Sequence, residues 1–289
     1  ARAVFKPLRL ETKLTPAHNE AEFSRMVEHA KYHIFEGDIF QVVLSNPLTA
    51  KATGSLFDVY RTLRVLNPSP YMFYFVSDDV EIAGASPETL AKLEDGTLYT
   101  FPLAGTRPRG ETESEDRQLE EELLADEKEI AEHNMLVDLG RNDLGRISEI
   151  GSVKVTRYMD ILRYSHVMHI GSTVEGRLAK GKDAIDAIDS VLPAGTLSGA
   201  PKLSACTIIQ QEESRKRGIY GGAIGYLDFS GNMDTCIGIR LAYKKNGTLC
   251  IQSGAGLVAD SVPAREYQEC INKAKAMVTA IEAAEGGLE

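Results

Sequence analysis

Apolar residues recur at Phe23, Met26, Val27, Ala30 and Ile34, a spacing that gathers them on one side of a helix, and Gly37-Asp38 then stops it. The apolar run over residues 39–45 predicts a strand. A second amphipathic helix is predicted over residues 56–66, ended by Asn67-Pro-Ser-Pro70. Strand patterns follow over residues 71–76, 81–84 and 89–93, the last turned by Asp95-Gly96 into 97–103, so that this region reads as one meander. A long charged helix is predicted over residues 115–139, and a β-rich stretch runs on to Val174. Helices near 183–191 and 201–212 precede a hairpin set at 219–229, 233–243 and 249–252, joined by Ser230-Gly231-Asn232 and Asn246-Gly247. A helix from Pro263 onward closes the chain. Helices and antiparallel strands alternate without the regular beat of a parallel sheet, which predicts an α+β fold.

At 289 residues and 43% apolar content the chain can bury a large core. No repeat, low-complexity segment or interdomain linker divides it; residues 1–22 read as a lead-in and 23–289 as one catalytic domain. Acidic residues outnumber basic ones 42 to 32 and no Lys/Arg run occurs, so the electrostatic footprint of a nucleic-acid binder is missing. No apolar stretch is long enough to span a bilayer and no signal peptide is evident, so no membrane association and a cytoplasmic location are expected. Cys206, Cys236, Cys250 and Cys270 stand singly within apolar patterns and read as buried, reduced thiols.

Two Glu-x-x-Glu steps carry the first chemical signal. Glu129 and Glu132 share a helical stripe with Leu136 and Leu139, and Glu266 and Glu269 border a Tyr267/Ile271/Ala274/Val278 stripe. Unpaired carboxylates at the edge of a buried face repel one another and protonate, and a hard divalent cation, best Mg2+ with several retained waters, resolves that conflict. The same spacing is also ordinary helix-surface decoration in an acidic protein. Three glycine-bearing loops are candidate anion cradles: Pro193–Lys202 with Thr196 and Ser198, Ser253-Gly-Ala-Gly256, and Phe101–Gly110. Taken one at a time, each is equally readable as a turn. Neither Gly-x-x-x-x-Gly-Lys nor Gly-x-Gly-x-x-Gly is present, so a nucleotide is not indicated.

Taken together, these segments resemble the chorismate-utilising enzymes, over about residues 23–281. The resemblance is carried by Gly37-Asp-Ile-Phe-Gln-Val-Val-Leu-Ser45, Asn67-Pro-Ser-Pro-Tyr-Met-Phe-Tyr74, Ser86-Pro-Glu88, Pro102-Leu-Ala-Gly-Thr-Arg-Pro-Arg-Gly110 and Asp126–Arg146. Further runs are Arg163-Tyr-Ser-His-Val-Met-His169, Pro193–Lys202, Tyr220-Gly-Gly-Ala-Ile-Gly-Tyr226 and Gly254–Lys275. The fold so implied has antiparallel sheets packed face to face and flanked by helices.

By this resemblance Mg2+ is held by Glu132 and Glu269, with Glu129 and Glu266 close by or acting through water, and it binds the ring carboxylate of chorismate. Glu88 matches the general acid that protonates the departing C4 hydroxyl, its pKa raised by burial beside other carboxylates. Tyr220 and Arg240, assisted by the Gly254, Ala255 and Gly256 backbone, match the site of the enolpyruvyl carboxylate. Thr196, Lys273 and the Ala104-Gly105-Thr106 run also fall in substrate-contacting motifs. His169 matches the histidine linked to pyruvate elimination, and His166 reads as a bystander. Members that add water carry lysine where Gln41 stands, and members that make 4-amino-4-deoxychorismate carry lysine where Ala104 stands. Both positions therefore imply direct amination of chorismate at C2 by ammonia, then loss of pyruvate to give anthranilate. Aminodeoxychorismate or isochorismate synthesis, or a non-catalytic chorismate- or tryptophan-binding module, are the alternatives. The family's feedback tryptophan pocket is half supplied by an additional amino-terminal region; the other half, Asn67–Met72, is present here, and this sequence starts at Ala1. With no glutaminase module evident, a separate glutamine amidotransferase subunit is the expected ammonia source.

Overall fold

The computed structural model describes residues 6–164 and 167–285. From the amino end the elements are β1 (Arg9–Leu10), β2 (Thr15–Pro16), α1 (Glu20–Phe35), β3 (Gln41–Thr53), α2 (Phe57–Leu66), β4 (Tyr71–Val76) and β5 (Val80–Ser86). Next come β6 (Thr89–Glu94), β7 (Thr97–Thr100), β8 (Leu103–Pro108), α3 (Glu113–Ala125), α4 (Glu127–Gly145), β9 (Lys154–Arg163) and β10 (Val167–Arg177). The rest are α5 (Ala184–Val191), a tight turn at Gly195–Leu197, β11 (Gly199–Ala200), α6 (Lys202–Glu212), β12 (Ala223–Leu227), β13 (Met233–Ile237), β14 (Leu241–Lys245), β15 (Thr248–Leu257) and α7 (Pro263–Ala284). The fold is α+β. No described helix is long and apolar enough to cross a membrane.

The chain forms two compact units. The first takes residues up to Pro87, Thr196–Gly222 and from Ile237 on; the second takes Glu88–Gly195 and Ala223–Cys236. In the first, one antiparallel sheet runs β1-β3-β15-β14-β5-β4, with β2 and β11 also on β3. Its long central pair aligns Gln252 with Pro47 and Leu257 with Val42. Helices α2 and α7 bury Val59, Leu63, Met277 and Ile281 against Ala83, Ala242 and Ile251, while α1 and α6 bury Phe23, Val27 and Ile208 against Val42, Leu44 and Ala255. The second unit holds the sheet β12-β13-β6-β7-β10-β8, with β9 on β10.

Several boundaries differ from the sequence expectation, most for a nonlocal reason. Strand β3 runs through Pro47 to Thr53 instead of ending at Ser45. The Pro47 carbonyl accepts from the Ala17 N–H at 2.8 Å, so the edge on which proline lacks its own N–H faces the short β2 side rather than β15. The region 71–103 is not one meander: β4 and β5 join the first sheet, β6 and β7 the second, and β7 and β8 are separated by β10. The 233–243 run likewise divides at Gly238–Arg240 into β13 and β14, and 219–222 forms a turn before β12. The long charged helix is two helices. Asp126 leaves helical geometry (φ −78°, ψ 99°), and its carboxylate accepts from the Lys128 and Glu129 N–H groups, capping α4. Cys206 is half-buried where full burial was expected; the other three thiols are buried, and all four are free.

Candidate active site

The first unit brings together most of the expected substrate groups. Gln41 opens β3 with 6% exposure, its backbone paired to Ala200 of β11. A Cβ on Gly256 would lie 2.8 Å from the Gln41 Nε2, so glycine there makes room for that amide. One turn of the pleat away, a Cβ on Gly254 would lie 3.0 Å from the Tyr220 hydroxyl and 2.8 Å from the Leu44 carbonyl oxygen. Ser253–Gly256 is therefore not the loop expected from the sequence but the inner part of β15, thinned so that two polar side chains can reach over it. Tyr220 is 4% exposed. Burial pushes its phenol far above the usual range, with smaller opposing pulls from Arg217 and Arg240, so the hydroxyl remains a proton donor.

Arg240 sits at the sheet-changing bend with φ 51°, a left-handed conformation that costs a non-glycine residue of order 1–3 kcal/mol. Its Nη1 donates to the Lys273 carbonyl at 2.7 Å, and Lys273 Nζ in turn donates to the Gly254 carbonyl at 3.0 Å. Lys273 also pairs with Glu269 one turn back on α7, at 2.5 Å. Pro263 opens that helix, and Glu266 and Glu269 lie along the margin of its buried face, Cys270, Ala274 and Met277. Thr196 lies in the turn just before β11.

The second unit carries Glu88, Ala104, Gly105, Thr106, Glu129, Glu132 and His169. On β10 the register to β8 jumps between His169, opposite Thr106, and Ile170, opposite Ala104, which leaves Gly105 as the extra residue of a bulge. Gly105 takes φ 69°, a region that favours glycine, and a Cβ there would strike Leu123 at 2.8 Å. The bulge turns the Gly105 carbonyl onto His169, whose Nδ1 lies 2.9 Å from it and 3.0 Å from the Thr106 hydroxyl. A carbonyl can only accept, so Nδ1 carries the proton and Nε2 keeps its lone pair. The Tyr164 ring stands edge-on to the imidazole at 5.7 Å. Beneath Gly105, the Glu129 carboxylate is 3.4 Å from its would-be Cβ and 3.9 Å from Arg107 Nη1. His166 lies outside the described residues.

Each of α4 and α7, taken by itself, presents two half-buried carboxylates one turn apart, and in each pair one is met by a cation, Arg107 or Lys273. Among the described residues no group of three His, Cys, Asp or Glu side chains is placed to hold a metal ion. The donors in each helix are carboxylate oxygens, the type that Mg2+ takes one or two at a time while retaining most of its water.

Sequence reasoning passed over three groups. Arg107 contacts both Glu129 and the cap residue Asp126, the latter at 2.9 Å. His133, next to Glu132, is fully buried and shares a 2.6 Å hydrogen bond with Ser172, and burial pushes its pKa below the usual histidine range. Glu213 and Arg217 form a buried pair beside Tyr220; their four-residue spacing was the only signal, and it reads as surface charge.

Residues 4–279 match the family of chorismate binding enzymes, and the chain belongs to that family. More particularly, it is 56% identical over 274 residues to anthranilate synthase component 1 of Acetivibrio thermocellus, spanning 95% of this chain and 56% of that protein. It is 53% identical to that of Aquifex aeolicus, spanning 93% and 54%. The chain thus spans little more than half the length of these curated relatives. Among solved structures, anthranilate synthase component I from Streptococcus pneumoniae is similar with a TM-score of 0.85 at 49% identity, over 94% of this chain and 60% of that one. The menaquinone-specific isochorismate synthase of Escherichia coli gives 0.85 at only 26% identity, over 97% and 65%.

Proposed function

We propose that this chain is the ammonia-using synthase part of an anthranilate synthase, converting chorismate and ammonia to anthranilate, pyruvate and water. The observation that carries this reading is the Gln41 amide, buried and seated against Gly256. A neutral amide can orient a nucleophile but cannot strip a proton from water as lysine would. Ala104 on β8 likewise offers no amine to attack the ring. The relatives named anthranilate synthase component 1 support the same choice.

In this reading Tyr220 and Arg240 hold the enolpyruvyl carboxylate, and Thr196 and Lys273 complete the substrate contacts. Glu132 and Glu269 would hold Mg2+, with Glu129 and Glu266 nearby; when bound, it supplies neutralisation of the ring carboxylate, making it an electron sink. Gln41 presents ammonia to C2. As the C2–N bond forms, the C1=C2 pair shifts to C1=C6, the C5=C6 pair shifts to C4=C5, and the C4 hydroxyl leaves with a proton from Glu88. His169 Nε2 then takes the C2 proton. The C3–O bond breaks, and the released enolpyruvate is protonated at carbon to pyruvate. Ammonia in the cell would come from a separate glutaminase component. The thiols here are poor candidates for releasing it from glutamine, since burial pushes the Cys270 thiol up to about 12 and raises Cys206 and Cys250 as well.

The test is product analysis by mass spectrometry from chorismate and Mg2+ with ammonium salts or glutamine as donor. Anthranilate forms with ammonium, faster as the pH rises towards the pKa of ammonium, and not with glutamine. Isochorismate or 4-amino-4-deoxychorismate as the product would overturn the assignment.

A further inference from the structure

Glu213 and Arg217 stand outside the proposed chemistry, yet both are bonded at several points within the first unit. Glu213, just past the end of α6, has a side chain only 6% exposed. Its Oε1 accepts from the Ser45 N–H and hydroxyl, both at 2.8 Å, and from Arg217 Nη2 at 2.6 Å, while Oε2 accepts from Arg217 Nε at 2.9 Å. The guanidinium is thereby gripped as a two-point fork. Two more of its donors go to backbone: Nη2 also reaches the Val43 carbonyl at 2.7 Å, and Nη1 the Leu197 carbonyl. Gln252 Nε2 donates to the Ser45 hydroxyl at 2.7 Å, tying the cluster to β15.

Arg217 meets Tyr220 in two ways, through its guanidinium and through its backbone. The guanidinium carbon lies 5.7 Å from the centre of the Tyr220 ring, within cation–π range, and the Tyr220 N–H donates to the Arg217 backbone carbonyl at 3.2 Å, closing a turn. Buried ion pairs contribute little net stability and can often be replaced by apolar residues without loss, so one bonded this extensively beside a proposed substrate group points to another role. We infer that Glu213 and Arg217 are positioning residues: they fix the Tyr220 ring so that its hydroxyl stands over Gly254, ready to donate to the substrate's side-chain carboxylate. This inference rests on the proposed substrate role of Tyr220, and its test separates the two.

Chorismate affinity is measured by titration calorimetry in Mg2+ for the parent chain, Tyr220→Phe, Arg217→Lys and the double variant, with thermal melting of each. Lysine keeps the charge but loses the fork and the planar face. Each single change weakens binding on the order of tenfold, one hydrogen bond to a charged group. In the Tyr220→Phe background, Arg217→Lys adds less than about threefold, because no hydroxyl is left to aim. Full multiplication of the two effects, or unchanged affinity in Arg217→Lys, would make the pair a purely structural one and overturn the inference. If Tyr220→Phe binds like the parent, or the parent binds no chorismate, the substrate assignment itself fails. Should Arg217→Lys not melt cooperatively, Glu213→Gln takes its place in the same cycle.

Discussion

At the scale of single residues, two glycines two positions apart on β15 make opposite demands. An added methyl at Gly256 meets the far end of the Gln41 side chain, which can move, so Gly256→Ala is expected to fold normally and melt within a few degrees of the parent while ammonia-dependent turnover falls. At Gly254 the methyl meets the Leu44 backbone oxygen at 2.8 Å, which cannot move, so Gly254→Ala is expected to destabilise by about 1–3 kcal/mol in urea unfolding. Equal stability of the two variants would show that β15 relaxes more freely than its ladder with β3 suggests. His169→Ala removes the imidazole lone pair and leaves the Gln41 amide untouched; mass spectrometry should find an aminated intermediate still bearing its enolpyruvyl group. If Glu269 holds Mg2+ as proposed, Glu269→Ala should raise the Mg2+ needed for half-maximal turnover by more than about tenfold, and an unchanged Mg2+ requirement would overturn that role. The carboxylate pairs were legible in the sequence because helical spacing is local. The purpose of Gly254 and Gly256 was not, because the side chains they accommodate, Tyr220 and Gln41, are remote in sequence and come to β15 from a turn and from the start of β3.

At the scale of elements, Glu81 of β5 organises the entry to α2. Its carboxylate accepts from the Leu56 N–H at 2.8 Å, the Ser55 hydroxyl at 2.5 Å and the Tyr74 hydroxyl at 2.6 Å, and pairs with Lys244 of β14 at 2.9 Å. Burial alone would raise its pKa, but the hydrogen bonds from Ser55, Tyr74, Lys244 and the Leu56 N–H outweigh burial and hold it below the ordinary carboxylate range. A depressed folded pKa means a contribution that is whole above the unfolded value, about 4.3, and is lost as the pH falls through the folded one. Glu81→Ala strands a buried lysine and should cost about 3–5 kcal/mol near neutral pH. In urea melts across pH that deficit should shrink below about pH 4; a gap constant into acid would show that lost packing, not charge, accounts for it. Helix positions followed from periodicity: the buried side of α1, Phe23, Met26, Val27 and Ala30, is the one the sequence displayed. The division at Asp126 stayed hidden because charged residues flank it on both sides, so no break in the apolar period marks the cap. Likewise nothing local in residues 71–103 or 233–243 says that successive strands serve different sheets.

At the scale of the whole molecule, the α+β class was legible from composition and alternation, whereas the division into two units was not, since neither unit is a continuous stretch. Residues up to Pro87 supply β3, β4 and β5, and the strands that complete their sheet, β14 and β15, come only after Ile237. Residues 88–195 are in turn completed by 223–236. Coexpressed pieces 1–87 and 88–289 should therefore copurify, joined by the β3–β15 ladder over Val42–Lys51 and by β5 against β14. Recovery of either piece alone as a stable folded monomer would contradict that. Synthesis imposes the same condition in time. While the chain grows, β5 must wait with an open edge for a partner made about 160 residues later and β3 for one made about 200 later, and such distant closure makes for slow folding and a long exposure to wrong pairing. Because β14 and β15 directly precede α7, the first sheet closes only once residues 241–257 have left the ribosome, and stalling before them would leave a nascent chain in need of a chaperone.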